Sequence, residues 1–225
     1  QAQERRQKKY QIGLVSRKKK VAQDDDAPPH PPPTIIFVAN SRTAAYLERL
    51  LKELEFEVTS LHSKLTQAQR LSSLKLFRAF EVPILICTDV GARGLDMDGV
   101  GMVINWDLPR NPKEDANGGG DDIITTAEET YIHRVGRTAR MGRGGVAISF
   151  VTERKWDEET VARIEDKIKT KLSELSFKED AVLEKLNTVS SAKRVAIMEI
   201  EHSDFGQREE RHKAIKGRRK GSEGR

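Results

Sequence analysis

The run His133-Arg134-Val135-Gly136-Arg137-Thr138-Ala139-Arg140 sets three arginines at three-residue spacing. If a helix begins there, a turn of about 100° per residue brings the three guanidiniums within about 120° of one another, on one face. Like charges so placed repel, and the spacing makes physical sense where something strongly anionic faces them. A guanidinium fork matches phosphate oxygens bidentately and keeps its charge at every accessible pH. A triphosphate or an acidic partner surface is the chemistry such a run suits. The plainer alternative is a solvated basic helix face. Gly136 inside the run and a second chemically dense stretch upstream weigh against it.

That second stretch is Thr88-Asp89-Val90-Gly91-Ala92-Arg93-Gly94-Leu95-Asp96, which follows the apolar run Ile84-Leu85-Ile86-Cys87. Glycines let backbone N–H groups approach an anion, Thr88 can donate to a phosphate, and Asp96 can accept from a sugar hydroxyl. A polar surface turn is the alternative reading.

Both stretches need a scaffold, and the hydrophobic pattern supplies one. From Thr34 short apolar runs alternate with longer amphipathic ones, the pattern of a parallel sheet covered by helices. Strands are predicted at 35–39, 58–61, 84–88, 102–105 and 146–151. In such sheets ligands bind where loops leave the carboxyl ends of strands, which singles out the 88–96 stretch. Ser41 is predicted to cap a helix whose apolar stripe is Leu47, Leu50, Leu51 and Leu54. Thr66 with Gln69 forms a capping box opening a helix predicted to bury Ala68, Leu71, Leu74 and Phe77. Val161, Ile164, Ile168, Leu172 and Leu175 form a near-heptad stripe, suited to packing on the body or on a partner helix.

Four segments follow. Residues 1–33 are a basic opening and a Pro-rich linker, since DDDAPPHPPP at 24–33 admits neither helix nor sheet interior. A short strand and helix start within 10–20 is the alternative for the opening. Residues 34–155 are the α/β domain, interrupted at 113–130 by a Gly/Asp-rich insertion too polar to bury. Residues 156–207 are a helical extension, and 208–225 a basic tail. The net charge is +5, but residues 1–23 carry eight Lys/Arg against one acid and 208–225 carry eight against three, so the stretch between is net acidic. Basic ends attract polyanions without reading sequence, or serve as import signals. The single cysteine, Cys87, excludes an intramolecular disulfide and fits a reducing compartment. With no apolar stretch of membrane-spanning length, the reading is a soluble, intracellular protein. The first residue is Gln1 rather than methionine, and the chain is read as a fragment.

The Thr-Asp-x-x-x-Arg-Gly-x-Asp of 88–96 and the His-Arg-x-Gly-Arg-x-x-Arg of 133–140 resemble motifs V and VI of DEAD-box RNA helicases. Ile35-Ile36-Phe37-Val38 resembles motif IV, Gln67-Ala68-Gln69-Arg70 the Q-x-x-R element, and Val103-Ile104-Asn105-Trp106-Asp107-Leu108-Pro109 the segment after motif V. The resemblance covers about 34–155 and implies the second of two RecA-like domains, a parallel sheet flanked by helices. It implies that Arg137 and Arg140 act as arginine fingers at the γ-phosphate of ATP. Arg93, Gly94, Asp96, His133, Arg134 and Gly136 are implied to bind nucleotide or couple it to closure. Ser41, Arg42, Arg70, Thr88 and Gly94 are implied to line the RNA backbone. No G-x-x-x-x-G-K-[ST] loop and no D-E-A-D sequence occurs in the chain, so Mg²⁺ is implied to be held mainly by the first domain, and this chain alone is expected to be inactive.

Ala139 stands where many members of that family have glycine, and Ser63 follows His62 where glycine is frequent. No metal site is predicted, the five histidines being dispersed. The region from Lys171 through Asn187 to Phe205 resembles the carboxyl extension of DEAD-box helicases of small-subunit ribosome assembly. That likeness implies precursor ribosomal RNA as substrate, assembly factors as partners, a monomer outside the assembly, and a nucleolar or nuclear location. Two other classes compete: a non-enzymatic RNA- or protein-binding scaffold, and a DNA-repair helicase of the same superfamily.

Overall fold

Runs of four mostly apolar residues form the central strands, and each is followed by a turn residue or cap that sends the chain into a helix. The computed structural model describes residues 9–13, 31–92, 97, 99–110 and 125–203. In chain order the elements are β1 (Lys9–Gly13), β2 (Thr34–Phe37), α1 (Ser41–Glu53), β3 (Val58–Leu61), α2 (Gln67–Arg78), β4 (Ile84–Cys87) and α3 (Asp89–Ala92). They continue with β5 (Met102–Asn105), α4 (Ala127–Val135), a 3₁₀ turn (Arg140–Gly142), β6 (Val146–Val151), α5 (Lys155–Ile168), β7 (Ser173–Glu174) and α6 (Glu179–His202).

The sheet order is β3-β4-β2-β5-β6-β1-β7. The first five strands are parallel, and β1 and β7 add an antiparallel edge. The basic opening thus contributes a strand, Lys9–Gly13, paired with β6. Chain order reverses about the centre of the sheet. β2 leads outward to β3 on one side, and β4 crosses to β5 on the other, leaving a crevice at the carboxyl ends of β2, β4 and β5.

Alternating side chains divide the core into layers. Ile35, Phe37, Leu61, Leu85, Cys87 and Val103 face α2 and the segment after α3. Ile36, Val38, Val58, Ile84 and Ile86 face α1 and the buried Ala192 and Ala196 of α6. A third cluster joins Tyr131 of α4 and Val151 of β6 to Val161 and Ile164 of α5. Both helices of the carboxyl extension therefore pack against the sheet layers.

Three local expectations change. The cap of α1 is Asn40, whose side-chain oxygen accepts from the Thr43 N–H at 2.8 Å, and not Ser41. Asn has the better cap geometry one residue earlier, which frees the Ser41 hydroxyl for Ser63. The capping box of α2 forms, but Ala68 and Leu71 are exposed and Ser73 and Phe77 face inward. Ser73 turns inward because its hydroxyl accepts from buried Thr59 at 2.8 Å, which rotates the helix away from the all-apolar stripe. The stripe through 161–175 is not one helix. α5 stops at Lys169, which has a positive φ of 53°, and Glu165 accepts from the Leu172 N–H at 2.9 Å as the chain turns toward β7.

Candidate functional site

The carboxyl ends of β4 and β5 are polar where their interiors are not. β4 ends at buried Cys87, and Thr88 and Asp89 follow at once. The Thr88 hydroxyl accepts from the Gly91 N–H at 3.4 Å and opens α3. Gly91 is required here, because a Cβ would stand 2.4 Å from the Leu61 carbonyl oxygen.

Arg134 fills the crevice between these strand ends. Its Nε and Nη2 each donate to Asp89 at 2.7 Å, a bidentate fork. Its Nη1 donates to Asn105 Oδ1 at 3.2 Å and to the Asp107 carbonyl at 2.7 Å. The guanidinium carbon also lies 5.1 Å from the Phe37 ring centroid. The side chain is 3% exposed. A carboxylate of the neighbouring turn secures the other end of the crevice, since Asp107 Oδ2 accepts from the Ala39 N–H at 2.8 Å.

This placement corrects the expectation of one arginine face. The motif run lies at the end of a helix, not its beginning. α4 finishes at Val135, Gly136 caps it, Ala139 takes a left-handed φ of 57°, and Arg140 starts a new turn. Arg134 points into the fold and is occupied by protein groups. Arg137 is half-buried, with its Nε donating to the His133 carbonyl at 3.3 Å, and Arg140 donates to the Gly136 carbonyl at 2.7 Å. His133 and Gly136 are exposed. Thr138 ties the loop back to the sheet by donating to the Val100 carbonyl at 2.8 Å.

The Cys87 thiol records the local field. Burial, reinforced by the Asp89 carboxylate, raises its pKa far above the usual thiol range, while Arg134 and Arg137 oppose the rise.

On the flank of the same edge, the Ser41 and Ser63 hydroxyls lie 3.1 Å apart and join the start of α1 to the turn after β3. Arg42 is exposed and lines a cleft with Thr43, Tyr46, Ile197, Ile200 and Glu201, where the end of α6 meets the start of α1. Arg70 is half-buried on α2, and its Nε is buried without a hydrogen-bond partner. Arg93, Gly94 and Asp96 lie outside the described residues, as do 113–124 of the predicted insertion and the 208–225 tail, whereas the insertion's last residues, 125–130, lead into and open α4, with Ala127 buried. Among the described residues no cluster of His, Cys, Asp or Glu could hold a metal ion, and no helix is long and apolar enough to cross a membrane.

The motif reading did not identify Asn105, Asp107 and Asp89 as the residues that hold Arg134. A polar Asn closing an apolar strand was the available signal.

Behind the flank, His62 is buried and accepts from the Lys64 N–H at 3.3 Å through Nδ1. Burial lowers its imidazole pKa, partly opposed by the Glu48 carboxylate, with the Arg49 and Lys64 charges adding to the lowering. The unfolded chain therefore binds this proton more readily than the folded one. Stability is full above the ordinary histidine value of about 6.5 and falls as pH drops below it. The urea midpoint is expected to be lower at about pH 5.5 than at about pH 7.5, and His62→Asn, which keeps an acceptor for Lys64, should flatten the difference. An unchanged pH dependence in that variant would refute the assignment.

The helicase conserved C-terminal domain family matches residues 29–142 of the chain. An ATP-dependent RNA helicase, DBP8 of Mycosarcoma maydis, is 50% identical over 181 residues, which are 80% of this chain and 31% of that relative. The chain spans about a third of the length of the curated relatives it matches. Among solved structures, the C-terminal domain of the DEAD-box protein Dbp5 is 42% identical, with a TM-score of 0.51, covering 61% of this chain and 70% of that one. Saccharomyces cerevisiae Dbp5 bound to RNA and ADP BeF3 is 36% identical, with a TM-score of 0.54, covering 72% of this chain and 38% of that one. Fold and sequence agree: the chain belongs to the DEAD-box RNA helicase family, as a C-terminal RecA-like domain related to that of DBP8.

Proposed function

We propose that this chain is the carboxyl-terminal helicase domain of an RNA-dependent ATPase that closes on ATP and single-stranded RNA, and that the whole protein remodels precursor ribosomal RNA during small-subunit assembly in the nucleolus. The observation that carries the reading is the division of labour among the arginines. Arg134 is turned inward onto Asp89, Asn105 and the Asp107 carbonyl, while Arg137 and Arg140 stand half-buried at the carboxyl edge, each donating to a backbone carbonyl. That set fits a triphosphate, whose oxygens suit guanidinium forks.

ATP, with Mg²⁺ held mainly by the first domain, supplies the phosphoryl transfer. This chain's part is to hold Arg137 and Arg140 where negative charge grows, an electrostatic role that needs a preorganised loop. Arg134, Gly136 and Thr138 provide that loop. Ser41, Ser63, Arg42 and Arg70 offer hydroxyls and guanidiniums to a sugar–phosphate backbone, contacts that carry little sequence information. The ribosomal substrate, assembly-factor partners and nucleolar site rest on the likeness of the carboxyl extension to ribosome-assembly DEAD-box helicases.

The test is steady-state ATP hydrolysis by the full-length protein without nucleic acid, with single-stranded RNA and with single-stranded DNA. Stimulation by RNA alone is expected. Equal stimulation by DNA would favour a repair helicase, and no stimulation by either would favour a scaffold.

A further inference from the structure

Asn105 is fully buried, in a ring of buried side chains, with Arg134, Tyr131 and Ser149, between α4 and the sheet. Its Oδ1 accepts from Arg134, and its Nδ2 donates to the Ser149 hydroxyl at 3.1 Å. Ser149 stands beside buried Tyr131, whose phenol pKa is raised by burial with Ser149 opposing the rise. Asn105 and Ser149 are register partners on β5 and β6, while Tyr131 and Arg134 lie one turn apart on α4. Two strand residues thus hold two helix residues, and all four are nearly inaccessible to solvent.

Apolar packing tolerates small slides and rotations of a helix, whereas a buried polar ring does not, because any displacement leaves a donor or acceptor unpaired. The ring sets both the rotation and the axial position of α4 on the sheet. Arg137 begins three residues beyond Arg134, its N–H bonded to the Arg134 carbonyl at 3.1 Å, and Thr138 is pinned to Val100 just after it. The arginine therefore lies between Arg134, held by Asn105, and the Thr138 anchor.

We propose that Asn105, acting through Arg134 and α4, is a positioning residue for Arg137 in phosphoryl transfer. The role rests on the helicase reading above, but the geometric part does not.

The experiment uses the full-length protein with Asn105→Leu, Asn105→Asp and Ser149→Ala, and measures RNA-stimulated ATPase together with backbone hydrogen exchange. Asn105→Leu is expected to lower kcat about tenfold while KM for RNA changes by less than about twofold, because a displaced finger costs transition-state stabilisation and not RNA binding. Asn105→Asp keeps an acceptor for Arg134 and can accept from the Ser149 hydroxyl, so it should restore kcat to within about threefold of wild type. Exchange at residues 136–138 should quicken in Asn105→Leu and not in Asn105→Asp, with β2 and β4 unchanged.

If Asn105→Leu does not fold, Ser149→Ala breaks the ring at the corner away from Arg134, and faster exchange at 136–138 with a lowered kcat is expected there. Wild-type kcat in a folded Asn105→Leu, equal losses in the Leu and Asp variants, or unchanged exchange at 136–138 would overturn the proposal. A wild-type protein with no RNA-stimulated ATPase would instead remove the helicase reading, and the exchange data would still decide whether the ring positions the loop.

Discussion

Arg137→Ala in the full-length protein is expected to lower RNA-stimulated ATP hydrolysis by about 10³-fold or more, the range an arginine finger commands in phosphoryl transfer. The same substitution should leave the melting point within about 2 °C of wild type, because a half-exposed side chain in water-screened surroundings contributes little to stability. Single-turnover hydrolysis and thermal melting on the same preparation separate the two effects. Arg137→Lys should not restore the rate, since an ammonium keeps the charge but lacks the planar fork. A variant retaining more than about a tenth of the wild-type rate would show that Arg137 does not meet the reacting phosphoryl group.

Arg134→Ala is expected to do the opposite first. It should destabilise the domain by about 3 kcal/mol, with a drop of roughly 10 °C in melting point. Truncation removes the fork to Asp89 and the donor shared by Asn105 and the Asp107 carbonyl, and it empties volume beside Phe37. The Asp89 side chain is 37% exposed, so water compensates part of its loss, which holds the figure near the lower end for a broken buried pair. The buried Asn105 oxygen has no such relief. Thermal or urea unfolding of Arg134→Ala checks this, and a midpoint within about 2 °C of wild type would mean that the fork is not what holds α4 to the strand ends.

These two arginines, three residues apart in one motif, have opposite surroundings in the fold, one buried on Asp89 and Asn105 and the other half-exposed. What separates them is the direction of α4. The helix axis carries Arg134 onto the sheet and ends before Arg137, and no local spacing rule contains the position of the sheet. The same reason explains α2. Its start was readable from Thr66 and Gln69, because a capping box is a local exchange of hydrogen bonds. Its inward face was not, because Ser73 turns inward to a threonine on β3 that is 14 residues away in the chain.

Three strands have the predicted bounds in the structure, 58–61, 102–105 and 146–151, whereas those predicted at 35–39 and 84–88 run Thr34–Phe37 and Ile84–Cys87. A continuous apolar run of that length between polar turns has few other ways to bury itself. The antiparallel edge was harder to read. Lys9–Gly13 is basic and polar in composition, and it becomes a strand because β6 presents an edge to it.

The sequence by itself therefore determined the five parallel strands, the capping box of α2 and the residue types available at the carboxyl edge of the sheet, since these follow from periodicity, local capping and composition. Tertiary structure alone decided that Arg134 is internal while Arg137 and Arg140 are half-buried at the edge, and that Asn105 bridges Arg134 and Ser149. Those assignments depend on distances between residues up to 45 positions apart, and only the packed sheet brings them within hydrogen-bonding range.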